Sequence, residues 1–127
     1  MFIDSITFAK AELLPRLSIT ARLESLAVHP TCSSTRLHLD AALSGIAAAI
    51  ADEVVLPQAW GCCAFAGDRG MLHPELTASA TEPEASEINQ RSFTAYASTN
   101  RTCEIGMSRA TNHTYRHILE LLEEATR

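Results

Sequence analysis

The chain has 127 residues, of which 46% are hydrophobic and 20% charged, and its formal net charge is −5. A chain of this length is expected to form one domain that buries roughly two-thirds of the surface of its unfolded state. The 10 basic residues form no run or stripe, which argues against a nucleic-acid partner. No apolar run is long enough to span a membrane and the start lacks a signal-peptide pattern, so we expect a cytoplasmic protein.

The first half of the chain predicts a helix, a strand and a longer helix. Residues 4–14 carry apolar side chains at helical spacing, and residues 25–29 form a short apolar run that is typical of a strand. The next set of apolar residues at helical spacing predicts a helix over about 34–51, capped by Ser33 or Ser34. Its alanines would allow close packing against a sheet.

The middle of the chain predicts a second strand over 53–56, followed by an irregular loop over 60–70 that contains three glycines. Residues 74–91 predict either two helices or one helix interrupted at Pro83. The segment Thr81–Glu84 has the spacing of a capping box, which would start the second of two helices.

The last third predicts a strand over 93–98, a short helix from near Cys103, a very short strand at 114–115 and a closing helix over about 116–126. Strands and helices therefore alternate along the chain. This order predicts an α/β fold of three layers (αβα), Rossmann-like, with a small, mostly parallel sheet of three or four strands.

Each of the four cysteines follows a predicted strand. Cys32 follows the first, the adjacent Cys62 and Cys63 follow the second, and Cys103 follows the third. In an open α/β sheet the loops at the carboxyl ends of the strands line one crevice, so we expect the four thiols to meet there. In a reducing compartment, clustered cysteines are more often metal ligands or catalysts than disulfides.

Four thiols suit either an iron–sulfur cluster or a zinc ion, and helix N-termini behind the loops would favour thiolates. The spacing differs from an ordinary zinc knuckle, because only Cys62 and Cys63 are close in sequence. The side chains of adjacent residues point in different directions, so Cys62 and Cys63 can bind the same metal centre only if the backbone is bent or the centre is a large cluster. Gly61 is consistent with such a bend. The alternative is that the cysteines are small buried hydrophobes.

Three charged or polar neighbours are candidates for tuning such a site. His29, at the end of the first strand, could hydrogen-bond the bound group or serve the core alone. Arg101 could lower the pKa of Cys103 or neutralise a cluster, and Arg69 could shield cluster charge. No Ser/His/Asp order and no phosphate-binding loop is present, so no catalytic residue is predicted.

The cysteine pattern resembles the cysteine-rich "CCG" domain. That domain occurs in a heterodisulfide reductase subunit, in the iron–sulfur subunits of glycolate oxidase and anaerobic glycerol-3-phosphate dehydrogenase, and in lactate-utilisation proteins. The similarity is greater still to the C-terminal end of bacterial FAD-linked oxidases of the D-lactate dehydrogenase type. It covers residues 4–17 and about residue 25 to the end. The stretches that carry it are His29–Cys32, Gly61–Gly70, His73–Ala80 and Asn100–Gly106.

The resemblance implies that this chain is a single cysteine-rich domain, residues 1–127, and a C-terminal fragment of a larger oxidoreductase. Flavin domains of the parent would bind FAD and oxidise a 2-hydroxy acid, and a ferredoxin-like segment would carry further clusters. This chain would bind no FAD and would have no activity alone. Its four cysteines would hold a 4Fe-4S cluster for electron transfer, with a structural zinc ion, a metal-free docking domain or a thiol–disulfide catalyst as alternatives.

Two positions depart from the family pattern. Ala64 stands where the family usually has glycine. If that position needs a positive φ or close approach to a cluster, Ala64 would strain the loop or mark an altered site. Gly106 stands where some members have a last cysteine, so at most four thiol ligands remain.

Overall fold

The computed structural model describes residues 3–64 and 69–127, apart from the side chains of Ser33 and Arg69. One four-stranded sheet, parallel throughout, has the strand order β2-β1-β3-β4. Its strands are β1 (Leu23–Val28), β2 (Ala51–Val55), β3 (Ala95–Ser98) and β4 (Tyr115–His117). The predicted α/β class and the small parallel sheet are confirmed.

Helices cover both faces of the sheet and complete three layers. The first helix starts as an α-helix, α1 (Ser5–Phe8), and continues as a π-helical turn (Ala9–Leu13) and a 3-10 turn (Leu14–Arg16). The others are α2 (Cys32–Arg36), α3 (Asp40–Ile50), α4 (Arg69–Leu72), α5 (Pro74–Ile88), α6 (Arg101–Thr111) and α7 (Ile118–Ala125). Within the described ranges, none of these helices combines the length and apolarity needed to cross a membrane.

Alternation along β1 divides the core between the two faces. Leu26 and Val28 pack with residues of α1, α3 and α7, whereas Ala27 packs with residues of α5, α6 and β4. A strand whose two faces are both buried is expected at the centre of a parallel sheet covered by helices. The carboxyl end of β1 therefore lies between its neighbours β2 and β3, at the middle of the sheet.

The structure has two helices, α2 and α3, where one helix was predicted over 34–51, so the prediction of a single continuous helix is wrong. Thr31 and the predicted cap Ser34 bond reciprocally at the start of the first: the Thr31 hydroxyl accepts from the Ser34 N–H, and the Ser34 hydroxyl accepts from the Thr31 N–H, both at 3.0 Å. Between the helices, His38 has a left-handed backbone with φ 58°. Asp40 accepts hydrogen bonds from the Ser34 and Thr35 hydroxyls, and these polar contacts turn the chain.

The segment around Pro83 is one helix, and the predicted capping box is wrong. Pro83 lies inside α5, where it lacks the N–H that would donate to the preceding turn. The Thr81 hydroxyl donates 2.7 Å to the Thr77 carbonyl, as in a helix interior. Glu84, expected in a helix start, is instead buried against the sheet with 1% of its surface exposed.

Candidate thiol site

The sheet order brings the four cysteines to one edge. Cys32 begins α2 after β1, Cys62 and Cys63 lie in the segment after β2, and Cys103 lies in the first turn of α6 after β3. Because β2, β1 and β3 are neighbours, these three connections are adjacent. Cys32 and Cys103 lie in helical first turns rather than in loops, which corrects the expected placement without separating the thiols.

The thiols are arranged as two pairs. The sulfurs of Cys63 and Cys103 are 3.2 Å apart, and these residues are only 3% and 7% exposed. This distance exceeds the about 2.05 Å of a disulfide bond, and all four cysteines are thiols. Cys62, which is exposed, is the largest cause of the raised pKa of Cys32, so these two thiols form the second pair. Both Cys32 and Cys103 also interact electrostatically with the thiols of the other pair.

Neighbouring thiols raise the pKa of Cys32 and of Cys103, so both thiols stay protonated at neutral pH. The hydrogen bond to Cys62, followed by burial, raises the pKa of Cys32 to about 11. The hydrogen bond to Cys63, again followed by burial, raises the pKa of Cys103 well above the usual thiol range. For Cys32 and Cys103, neighbouring thiols and burial outweigh the lowering of the pKa expected from helix N-termini. Arg101 does not lower the pKa of Cys103; its guanidinium lies 3.3 Å from the carboxylate of Glu104.

Alkylation of Cys32 should therefore depend steeply on pH. Since only the thiolate reacts, its rate with iodoacetamide should rise about tenfold per pH unit from pH 7 and level off only near pH 11. Mass spectrometry of the reduced, metal-free protein would measure this rate. In a Cys62→Ser variant the plateau should move towards the ordinary thiol range. A plateau below pH 9 in the unmodified chain would contradict the pairing.

Ala64 has a left-handed backbone with φ 57°, a conformation that glycine adopts more easily than alanine. Its N–H donates to the Cys62 sulfur at 3.4 Å, so the turn holds that thiol in place. Gly61 is not at a positive φ, and a Cβ built there would meet open space. The residue with a left-handed backbone therefore follows the cysteine pair, whereas Gly61 precedes it, and the positive φ on which the predicted strain at Ala64 depends is present.

Ala64→Gly should stabilise the metal-free protein by about 0.5–1 kcal/mol. A left-handed backbone costs an alanine about 1–2 kcal/mol, and the greater freedom of glycine in the unfolded chain offsets about 0.4–1 kcal/mol of the gain. Urea unfolding would measure the change. Ala59→Gly is the matched control, because exposed Ala59 has no positive φ and should lose stability. Equal losses in both variants would argue against strain at Ala64.

His29 and Glu84 form a buried ion pair next to the site, and the sequence made only His29 a candidate. The His29 Nδ1 lies 2.9 and 2.8 Å from the two carboxylate oxygens of Glu84, and each residue is 1% exposed. His29 was a candidate, whereas Glu84 was missed because its spacing to Thr81 indicated a cap. The one available signal was the helical spacing of Glu84 with Thr77, Thr81 and Ile88, which lie on the same buried face. The side chain of Arg69, the other candidate, lies outside the described residues.

The donor set fits a thiophilic metal group, but not as a preformed cage for a single ion. Among the described residues, no three or more His, Cys, Asp or Glu side chains are placed to hold one metal ion. Two thiolates on one zinc ion would be about 3.8 Å apart, from Zn–S bonds of about 2.3 Å in a tetrahedron, so Cys63 and Cys103 are too close. Two separate sulfur pairs would have to open to bind a metal group between them.

Comparison with protein-family models, with curated proteins and with solved structures finds no match. The fold and the site alone therefore define the class: a parallel αβα domain with four cysteines gathered at the carboxyl edge of its sheet.

Proposed function

We propose that the four cysteines hold an iron–sulfur cluster of the 4Fe-4S type and that the domain transfers electrons. The observation that carries this proposal is that all four thiols come from three adjacent connections at one edge of the sheet, with the sulfurs of Cys63 and Cys103 only 3.2 Å apart. Sulfur is the ligand that iron–sulfur clusters use in proteins. No single point is surrounded by sulfur, and in a four-iron cluster each thiolate would bind a different iron, so the sulfurs of Cys63 and Cys103 would have to separate on binding.

The role within a larger protein is part of the proposal. The resemblance to the CCG domain suggests a D-lactate-type, FAD-linked dehydrogenase in the cytoplasm, whose flavin and ferredoxin-like domains supply electrons. An apolar surface formed by Met71, Leu72 and Leu76 follows the Cys62–Cys63 segment and is 59%, 68% and 41% exposed. Large exposed apolar side chains beside a redox site are suited to contact with a partner domain. Because this chain supplies only the acceptor site, we expect no dehydrogenase activity from it alone.

The second candidate is a structural zinc site of the same fold. It is favoured by the burial of Cys63 and Cys103, which resembles a ligand pair shielded from solvent. It would require these two sulfurs to separate by about half an ångström to reach tetrahedral spacing. A metal-free docking domain is the remaining alternative, and it predicts four thiols and no metal.

The deciding experiment is anaerobic purification followed by measurement of iron, zinc and acid-labile sulfide per chain, with a visible spectrum. The proposal expects iron and sulfide together, and loss of both in the Cys62→Ser/Cys63→Ser variant. Ser98→Ala is a control, because it changes a buried hydroxyl at the same sheet edge without removing a thiol. Stoichiometric zinc without sulfide would establish the structural site instead. Four reactive thiols without metal would overturn both metal proposals.

A further inference from the structure

The ion pair of His29 and Glu84 includes a buried nitrogen without a partner. Nδ1 of the ring is bonded to the Glu84 carboxylate, but Nε2 has no hydrogen-bond partner among the described residues. With 1% of the residue exposed, bulk water does not satisfy this nitrogen. Buried polar atoms are nearly always bonded, so an unbonded one indicates a missing ligand or water.

The backbone holds this histidine rigidly at the edge where the thiols gather. The His29 N–H donates to the Ala97 carbonyl at 2.8 Å, and the His29 carbonyl accepts from the Ser98 hydroxyl at 3.1 Å. The backbone of His29 therefore lies beside the end of β3, three residues before Cys32, and its ring lies on the face of the sheet that α5 covers. Since the two ring nitrogens point in different directions, Nε2 faces away from the Glu84 carboxylate on α5.

We propose that Nε2 of His29 donates a hydrogen bond to a sulfur atom of the group held by the four cysteines, and that Glu84 is the positioning residue for this donor. The inference rests on the proposed cluster. A ring with an N–H on both nitrogens carries one positive charge, which the Glu84 carboxylate neutralises, so the pair adds no net charge to the core. A hydrogen bond to a cluster sulfur stabilises the reduced, more negative form and raises the reduction potential.

Two substitutions separate this role from a merely structural one. His29→Asn keeps an N–H near the position of Nδ1, so Glu84 retains its partner while the donor at Nε2 is lost. His29→Gln extends an amide N–H to about the position of Nε2. After anaerobic reconstitution with ferrous iron and sulfide, His29→Asn should favour the oxidised form about tenfold over wild type, which corresponds to about 59 mV for one electron. His29→Gln should recover part of this difference.

A second measurement does not depend on the variants. In the wild-type chain, the ¹⁵N resonance of the His29 Nε2 should move on reconstitution and show a bound proton. His117, whose ring nitrogen caps α7, is the internal reference and should not move. This ¹⁵N measurement on the wild-type chain tests the hydrogen bond even if a His29 variant fails to fold.

The possible results separate failure of the proposed cluster from failure of the proposed hydrogen bond of His29. If wild type takes up no iron and sulfide, the proposed function fails and the role of His29 fails with it. If wild type takes up the cluster but His29→Asn has an unchanged potential, or the Nε2 resonance does not move, the cluster stands and the hydrogen bond is overturned. A lower potential in His29→Asn with partial recovery in His29→Gln would support the donor.

Discussion

Glu84→Ala should lower the free energy of unfolding of the metal-free domain by about 3–5 kcal/mol, the usual cost of removing one partner of a buried ion pair. The substitution leaves His29 with neither ring nitrogen bonded, 1% exposed, inside the face of the sheet covered by α5 and α6. A natural domain has only about 5–15 kcal/mol of stability, so a large share would be lost. Urea unfolding at neutral pH under reducing conditions would measure this effect.

The same variant has a second, spectroscopic signature. Burial is the main cause of the raised pKa of Tyr115, and the negative charge of Glu84 is the next. Glu84→Ala should therefore let the Tyr115 phenol ionise at lower pH, visible by ultraviolet absorbance in protein that remains folded. Glu82→Ala is the control: its side chain is exposed on the same helix, and it should change stability by less than about 0.5 kcal/mol. Similar losses in the two variants would mean that the buried pair contributes little.

The sheet could be predicted because its strands are short apolar runs separated by helical stripes. The break in the second predicted helix could not, because it depends on hydroxyl contacts to Asp40 and on a left-handed residue, His38. The apolar stripe from Leu39 through Ile46 starts at the N-cap of α3, after His38, so it predicted α3 and gave no signal for residues 34–38. Helical periodicity reports which face of a helix is buried, but it does not report a turn that lies outside the stripe.

The meeting of the cysteines could be predicted because strand ends in a parallel sheet share one edge. Their protonation could not, since it depends on which thiol contacts which, and that is set by distances between loops. The partner of His29 lies 55 residues further along the chain, within a stretch whose local pattern indicated a capping box. Ala64 could be singled out only through the family resemblance, and the backbone then supplied the reason.

Controlled oxidation should join the metal-free thiols as Cys32–Cys62 and Cys63–Cys103, one of the three pairings that four cysteines allow. Cys63 and Cys103 are in contact, and Cys62 is the neighbour that most raises the pKa of Cys32; the buried sulfurs need to approach each other by about 1.2 Å to form a bond. Each bond consumes one hydrogen peroxide: one thiol becomes a sulfenic acid and releases water, and the second thiol displaces a second water. Two thiols are thus oxidised by two electrons, and peroxide is reduced to two waters.

The expected result is a mass loss of roughly 4 Da per chain, two hydrogens for each bond, with both links assigned by peptide mapping. Uptake of iron and sulfide should fall to background in the oxidised chain and return after dithiothreitol, because the bonded sulfurs are no longer available as thiolate ligands. Cys103→Ser should still form the link between Cys32 and Cys62, and Cys32→Ser the link between Cys63 and Cys103. A bond between the adjacent Cys62 and Cys63 would contradict the arrangement, because it would place both sulfurs of that segment away from the helices that now face them.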